Sequence, residues 1–313
     1  MDVGAVRSSL EGLREQAKNG SPFPDALLLA LGFHPEDVKA ERAFGPKKLV
    51  GAVDRALKKL DPEAIKCENV EGRSAVPATE VDLCFVMDCT RSMQSWIDQA
   101  KNKLIDVIDQ AKKNVYNLQL RVSFVGYRDF GDKVQYEGSY DFHTEAEMSK
   151  LLSKLKHIRA KGGRDVPEDV AGGLKRAIDL SWKSPIRLCI LIADAPCHGS
   201  IYDNNRDNYP AGCPKKLDPS KLLYTLQYDL GVDFYFVRIT TLTDKMISVL
   251  QNKVVGYKEG RQHSHRPALR GSQNTEPKFV VHGLGSNNNQ FLDAVVESVK
   301  VSVGPINLRV EVI

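Results

Sequence analysis

Four nearly all-apolar runs, separated by amphipathic segments, constrain the fold of this chain more than any other feature. The runs cover residues 81–87, 118–127, 186–193 and 232–239 and are rich in β-branched side chains. Runs of this kind are typical of parallel strands that are covered on both faces. Stripes of apolar residues at helical spacing lie between them. The alternation predicts an α/β fold with a doubly wound, mostly parallel central sheet flanked by helices.

The sequence outside these runs suggests the domain boundaries. Residues 1–75 have apolar side chains at helical spacing and no strand-like alternation, which predicts a small α-helical domain joined by a linker over 71–79. The α/β domain then spans 80–303, and residues 304–313 form either a closing strand or the start of a further segment. The polar, basic stretch over 257–278 is predicted to be a disordered loop.

Composition excludes several classes of protein. The chain has 313 residues with 44 Lys and Arg against 40 Asp and Glu, a net charge of +4, and no basic stripe, so we expect no nucleic-acid partner. Its longest apolar runs are far shorter than the roughly 20 residues that a membrane span requires. The first residues lack the apolar core of a signal peptide, which favours a cytoplasmic location. The six cysteines show no paired CxxC spacing and are predicted to be free thiols.

Three oxygen-bearing side chains follow the first apolar run at alternate positions. Asp88, Thr90 and Ser92 supply one carboxylate and two hydroxyls, and a turn at the end of a strand can direct alternate side chains to one point. These are hard oxygen ligands of the kind that Mg²⁺ prefers. In the alternative interpretation Asp88 and Thr90 only cap the following helix. These residues alone leave both interpretations open.

Two further acidic segments favour a metal site over simple capping. Asp165 and Glu168 lie in the segment GGRDVPED before a predicted helix, and Asp194 follows the third apolar run. Carboxylates that are clustered at the ends of one sheet are costly unless a cation compensates their charge. The three segments together therefore predict a site for Mg²⁺ or Mn²⁺.

At these residues the sequence resembles the von Willebrand factor A (vWA) family and its metal-ion-dependent adhesion site. The family pattern is Asp-x-Ser-x-Ser after the first strand, a Thr or acidic residue from a second loop and an Asp from a third. Asp88, Thr90 and Ser92 match the first element, with Thr in place of the middle Ser, and Asp194 matches the third. The resemblance covers about residues 81–300 and implies the α/β fold and a bound divalent metal.

The second loop is similar to that of integrin β chains, where a Glu in Gly-x-Asp-x-Pro-Glu binds the central metal. That likeness implies Glu168 as the fourth ligand, with Asp165 beside a neighbouring cation site, although Asp165 could instead fill the ligand position itself. The segments 125–130 (VGYRDF), 194–199 (DAPCHG) and 207–210 (DNYP) look closest to intracellular vWA domains of α-kinase-type proteins in protists and fungi.

The resemblance implies a non-enzymatic interaction protein in which an exposed Asp or Glu of a protein partner completes the shell of the metal. The loops over 128–140 and 198–217 are expected to form much of the partner-binding rim. The predicted rim residues are Arg91, Arg128, Asp129, Cys197, His198 and Tyr209. For Asp129 the sequence favours a local ion pair with Arg128 or a turn over a role in orienting a metal-bound water.

Other functions remain open at this point. The likeness to kinase-linked domains suggests a regulatory or targeting partner of a protein kinase, although the chain contains no kinase signature or P-loop. A metal-dependent phosphohydrolase is less favoured, since no general base is evident. A zinc site at Cys197, His198 and Cys213 lacks a fourth ligand and is disfavoured.

Overall fold

The computed structural model of the chain describes residues 3–19, 47, 49–51, 53–54, 78–204, 206–261, 276–285 and 287–304. The chain divides into two units, Met1–Ala78 with Pro305–Ile313, and Thr79–Gly304. In the first unit the expected opening helix is present as α1 (Val3–Lys18), and its Arg14 Nε donates to Asp54 Oδ1 at 2.6 Å. The expected linker before residue 78 and the possible strand after 304 lie outside the described residues.

A six-stranded sheet forms the centre of the Thr79–Gly304 unit. Its strands are β1 (Thr79–Asp88), β2 (Leu118–Tyr127), β3 (Tyr136–Thr144), β4 (Ile186–Ala193), β5 (Asp233–Arg238) and β6 (Phe279–Gly283). They lie in the order β3-β2-β1-β4-β5-β6. Only the edge pair β2 and β3 is antiparallel among these six strands. The four predicted apolar strands are β1, β2, β4 and β5, so the predicted fold class is confirmed.

Helices cover both faces of this sheet. They are α2 (Gln94–Asn114), α3 (Met148–Leu155), α4 (Val170–Ile178), α5 (Pro219–Tyr224), α6 (Asp244–Arg261) and α7 (Phe291–Val303). On one face α4, α5 and α6 contribute buried side chains to a core with Val86, Tyr127 and Leu191 of the sheet. On the other face the Phe291 ring of α7 lies 6.0 Å from Phe85 and 6.5 Å from Trp96 of α2.

Parts of the expected loop structure are wrong. The predicted loop over 257–278 begins inside a helix, because α6 continues to Arg261, and residues 262–275 lie outside the described part of the chain. The expected rim loop over 128–140 contains the start of β3. β3 is a partly exposed edge strand, so it lacks the continuous apolar run of the buried strands. Within the described residues the five cysteines are free thiols, as expected, and no helix is both long and apolar enough to cross a membrane.

Candidate functional site

Loops that follow β1, β2, α3 and β4 meet at the carboxyl edge of the sheet, where open α/β sheets bind their ligands. Main-chain hydrogen bonds join them directly. Cys89 N donates to Tyr127 O at 2.7 Å, and Lys161 N donates to Cys89 O at 3.0 Å. Glu168 N in turn donates to Pro196 O at 2.9 Å. The backbone therefore fixes the three acidic segments predicted from the sequence against one another.

Asp88 is the last residue of β1 and its side chain is fully buried. Its Oδ1 accepts a hydrogen bond from Thr90 N at 2.7 Å, which stabilises the turn into the short 3₁₀ helix Arg91–Met93. Its Oδ2 is buried and has no hydrogen-bond partner among the described residues. Turn formation thus accounts for one oxygen of Asp88 and leaves the other available for a ligand.

Glu168 and Thr90 both lie close to Gly163. A Cβ placed on Gly163 would lie 2.9 Å from Glu168 Oε1 and 3.4 Å from Thr90 Cβ. Gly163 has a φ of +76°, a conformation that favours glycine, and the loop can approach these residues closely because no side chain is present. Glu168 Oε2 is buried and has no hydrogen-bond partner in the described part of the chain.

Asp194 follows β4 and completes the set of acids at this edge. Its side chain is half-buried, and its Oδ1 has no hydrogen-bond partner within the described ranges. The Thr240 hydroxyl donates to the Asp194 carbonyl and holds this turn against the segment after β5. Of the two predicted hydroxyl ligands, Thr90 is buried and Ser92 is exposed.

The acids perturb one another strongly. Burial, together with the charge of Asp194, raises the pKa of Asp88 to about 7. Burial and the charge of Asp88 raise the pKa of Glu168 to about 11. Both shifts mean that the ionised forms lack a compensating positive charge. A hard divalent cation would supply that charge, and carboxylate and hydroxyl oxygens are suitable donors for Mg²⁺ or Mn²⁺. Within the described residues, however, the ligand atoms of these three acids do not all lie within 4.8 Å of one another.

Asp165 belongs to a second group of side chains. Its Oδ2 accepts from Asn208 N at 2.7 Å, while its Oδ1 is buried and unpartnered within the described residues. One ligand atom from each of Asp165, Asp129 and His198 lies within 4.8 Å of the others, so the three could hold a metal ion. Glu168 and Asp165 therefore differ in their surroundings, Glu168 beside Thr90 and Asp165 beside His198.

His198 is held between two carboxylates. Its Nε2 lies 2.7 Å from Asp129 Oδ1 and its Nδ1 lies 2.7 Å from Asp207 Oδ1, with the Phe130 and Tyr209 rings packed around it. Burial alone would lower the pKa of His198, but the two hydrogen bonds outweigh burial and raise it. Both nitrogens carry hydrogen bonds, so His198 can bind a cation only by losing one of them.

Four of the six predicted rim residues are buried, so the expectation that they line an exposed rim is wrong. Arg128, Asp129, Cys197 and His198 are exposed by only 0–4%. Their burial follows from the hydrogen bonds that hold the loops together. Arg91 is exposed and Tyr209 partly exposed, and both remain accessible to a partner.

The expected local pair between Asp129 and Arg128 is also wrong. The Arg128 guanidinium pairs with Glu137 of β3 at 2.6 Å and donates to the carbonyls of Cys89 and Arg159. Asp129 instead pairs with His198, 69 residues away in the chain. Sequence reasoning missed this pair because Asp129 is distant in the chain, and it also missed Asp207, which lies nine residues after His198 in the same loop.

A family model described as a von Willebrand factor A domain matches residues 82–203, which include Asp88, Glu168 and Asp194. The chain contains a vWA domain. The family resemblance stated from the sequence is thereby confirmed, while the metal site itself stays a prediction.

Relatives and solved structures are similar to this vWA-containing chain. The alpha-protein kinase vwkA of Dictyostelium discoideum is 32% identical over 232 residues, covering 73% of this chain and 36% of that protein. The chain therefore spans about a third of the length of that relative. The match to the PilB minor pilin from Streptococcus sanguinis has 12% identity and a TM-score of 0.43, and it covers 75% of this chain and 62% of the pilin chain. The match to the von Willebrand factor type A structure from Catenulispora acidiphila has 12% identity and a TM-score of 0.43, and it covers 72% of this chain and 43% of that one.

Proposed function

We propose that the vWA domain is a non-enzymatic protein-interaction module that depends on a divalent metal. The observation that carries the proposal is a set of three acids from three loops, Asp88, Glu168 and Asp194, each with one buried oxygen that lacks a partner among the described residues. Native proteins rarely leave buried polar groups unpaired, so a ligand is the expected explanation.

The proposed ligands contribute differently to metal binding. Asp88, Glu168 and Asp194 supply negative charge from the buried side, and Thr90 and Ser92 supply neutral hydroxyl oxygens. Because Ser92 is exposed, the site opens to solvent beside it. A bound Mg²⁺ or Mn²⁺ would offer an open coordination position to an Asp or Glu carboxylate of a protein partner. We infer that Arg91, which is exposed, and Tyr209, which is partly exposed, contact that partner.

Glu168 is the ligand we assign to the second loop, in preference to Asp165. Its burial and its position beside Thr90 support this choice. Asp165 is engaged by Asn208 N and adjoins Asp129 and His198 instead. We therefore expect Asp165→Asn to weaken metal binding much less than Glu168→Gln.

The test is calorimetric titration of chelator-treated protein with Mg²⁺ and Mn²⁺. The wild type is expected to bind one ion saturably, and Asp88→Ala is expected to abolish binding because it removes a charged ligand. Asp88→Asn is the companion variant, since its amide oxygen can still accept from Thr90 N and preserve the turn.

Asp179→Ala serves as the matched control. Asp179 is an exposed acid at the end of α4, where it pairs with Lys175 away from the metal loops. The Asp179→Ala variant should bind metal with the affinity of the wild type. Unchanged affinity in both Asp88 variants, with folding verified by circular dichroism, would contradict the ligand assignment.

A regulatory or targeting role toward a protein kinase is the second function we propose. It is motivated by the similarity to the kinase vwkA, of which the chain spans about a third, 36%. In this case the purified chain should transfer no phosphate from ATP to a generic protein acceptor. Transfer that persists through purification and is lost in Asp88→Ala would overturn the non-enzymatic assignment.

Phosphate-ester hydrolysis and cellular location are tested separately. We expect no Mg²⁺- or Mn²⁺-dependent hydrolysis of p-nitrophenyl phosphate, since Asp129 and His198 are buried and bonded to each other. The five free cysteines of the described residues suit a reducing compartment, which supports a proposed cytoplasmic location. Cell fractionation with an antibody against the chain would check it.

A further inference from the structure

A groove of about 930 Å³ lies between α2 and α3, beside the metal loops. Its charged lining residues are three cations, Lys101, Lys156 and Arg159, and one acid, Asp98. The remaining lining is mostly uncharged and polar, and includes a single apolar side chain, Leu152. A groove of this composition is suited to an anionic ligand and offers little to an apolar one.

The cations of the groove are incompletely paired. Within the described part of the chain, neither Lys156 nor Arg159 forms an ion pair, and Lys101 lies 3.6 Å from Asp98. Arg159 Nη1 donates to the Lys156 and Ile158 carbonyls, which leaves its Nε and Nη2 without a bond to any described residue. Burial and the charge of Arg159 lower the pKa of Lys101, consistent with excess positive charge there.

The groove is linked to the proposed metal site through the segment 158–161. Arg159 of this segment lines the groove, and the segment is attached both to α2 and to the loop after β1. Gln94 Oε1 accepts from Ala160 N at 2.9 Å, and the next residue, Lys161, donates its N–H to Cys89 O at 3.0 Å. Cys89 stands between Asp88 and Thr90 in the chain. The exposed side chains of Arg91 and Lys161 form no ion pair with a described residue and extend the positive surface between groove and site.

We propose that this groove binds a run of acidic residues in the partner, next to the carboxylate that completes the metal site. The inference rests on the proposed function and adds to it the chemistry of the partner: several acids in an extended segment rather than one isolated acid. The Arg159 guanidinium can bind a carboxylate through two N–H groups, which gives direction as well as charge.

Chain geometry sets the spacing of those acids. Arg159 and Lys161 are separated by two peptide units, so their Cα atoms are at most about 7.6 Å apart. An extended peptide advances about 3.3 Å per residue. An acid about two positions from one that pairs with Lys161 would therefore reach Arg159, and Lys156 would meet the residues beyond it.

The experiment measures peptide binding by fluorescence anisotropy in Mg²⁺. One labelled decapeptide carries a run of five Asp and Glu residues, and a second has a single Glu with Ser at the other acidic positions. Wild type is expected to bind the acidic run at least about tenfold more tightly. Lys156→Glu with Arg159→Glu should remove that preference, which corresponds to about 1.4 kcal/mol, because two attractive charges are replaced by two repulsive ones.

The matched control is Lys113→Glu with Lys221→Glu, which makes the same change in net charge at exposed positions outside the groove. It should retain the preference. Calorimetry of the Lys156/Arg159 variant should still show Mg²⁺ binding, which separates failure of the groove from failure of the metal site. If wild type binds no Mg²⁺, the same peptides are compared without metal, and the groove variant should still bind the acidic run more weakly.

Two outcomes would overturn the proposal. One is equal binding of the two peptides by the wild type, or a preference that survives in the Lys156/Arg159 variant. The other is that phosphatidylserine vesicles or single-stranded RNA bind through these two residues while the acidic peptide does not, which would assign the groove to a different class of macromolecule.

Discussion

At the scale of single residues, Glu168 shows most directly what it costs to bury acids at the end of this sheet. Burial and the charge of Asp88 raise its pKa from an ordinary value of 4.5 to about 11. The folded protein therefore holds a proton that the unfolded chain releases above about pH 4.5, and stability falls as the pH rises through the neutral range. Asp88 acts in the same direction up to its own pKa of about 7.

Glu168→Gln should reduce this loss of stability in metal-free protein. The amide keeps the shape of the side chain but does not titrate, so the stability difference between wild type and variant should change by on the order of 2 kcal/mol from pH 5 to pH 7. Urea unfolding with chelator at the two pH values measures it. If the free energies of unfolding of wild type and variant changed equally with pH, Glu168 would ionise normally. Saturating Mg²⁺ should abolish the difference between the two pH dependences.

The Asp129 carboxylate is expected to raise the pKa of His198. Asp129→Asn can keep both hydrogen bonds of Oδ1, to Phe130 N and to His198 Nε2, and removes only the charge. The pKa of His198 should fall, because the variant lacks one adjacent negative charge that favours the protonated imidazole. NMR titration of the imidazole signals in metal-free protein measures this shift. His282, whose partner is Ser298 on α7, is the internal control and should not move.

The His198 contribution has the same sign as that of the two acids, because its pKa too is raised in the folded protein. Its pKa in the folded protein lies above the ordinary 6.5, so the stability it contributes is complete below pH 6.5 and is lost as the pH rises through the folded value. An unshifted His198 in Asp129→Asn would mean that Asp207 alone sets its protonation.

Some residues of the candidate site could be predicted from the sequence and others could not. Asp88, Thr90 and Ser92 could be found because a turn places alternate residues of one short segment together. The choice between Asp165 and Glu168 could not be made, since it depends on contacts with distant residues: Glu168 lies near Thr90, whereas Asp165 lies near His198. The pairing of Asp129 with His198 needed two loops that are far apart in the chain.

At the scale of elements, burial on both faces made the four central strands easy to predict. β3 and β6 were not predicted, because an edge strand is half-exposed and its side chains are mixed in polarity. The helix α4 illustrates a different constraint, since it packs unusually close to β1 and β2. A Cβ on Gly173 would lie 2.7 Å from Tyr127 Cδ1 and 3.1 Å from Val86 Cγ1.

Gly173→Ala should therefore destabilise the protein, although alanine is the better helix former. Forcing a methyl group into this contact costs about 1–3 kcal/mol, more than the gain of up to about 1 kcal/mol from helix propensity. Gly256→Ala on α6 is the matched control, since a Cβ there meets nothing within 4 Å, and it should stabilise by about 0.5–1 kcal/mol. Urea unfolding of both variants measures the two signs, and stabilisation by Gly173→Ala would refute the close packing.

At the scale of the whole molecule, positive and negative charge occupy different depths at the carboxyl edge of the sheet. Acids are buried beneath the surface, whereas Arg91, Arg159 and Lys161 stand exposed around them. An entering anion would meet the exposed cations first and the acids below them next. A metal ion bound among those acids would offset their negative charge, and the edge of the sheet would then attract a carboxylate at both depths. The acidic loops and the basic groove all lie within Thr79–Gly304.

Metal-linked stability should therefore reside entirely in the Thr79–Gly304 unit. A ligand that binds only the folded state stabilises it by about 2.7 kcal/mol at a free concentration of 100 Kd, which corresponds to a rise in Tm of roughly 5–10 °C for a domain of this size. The fragment 79–304 and the full chain should show the same rise in Mg²⁺ by scanning calorimetry, and Asp88→Asn should show none. A rise confined to the full chain would mean that residues outside this unit supply a ligand, and the assignment of the site to three loops of the vWA domain would have to be revised.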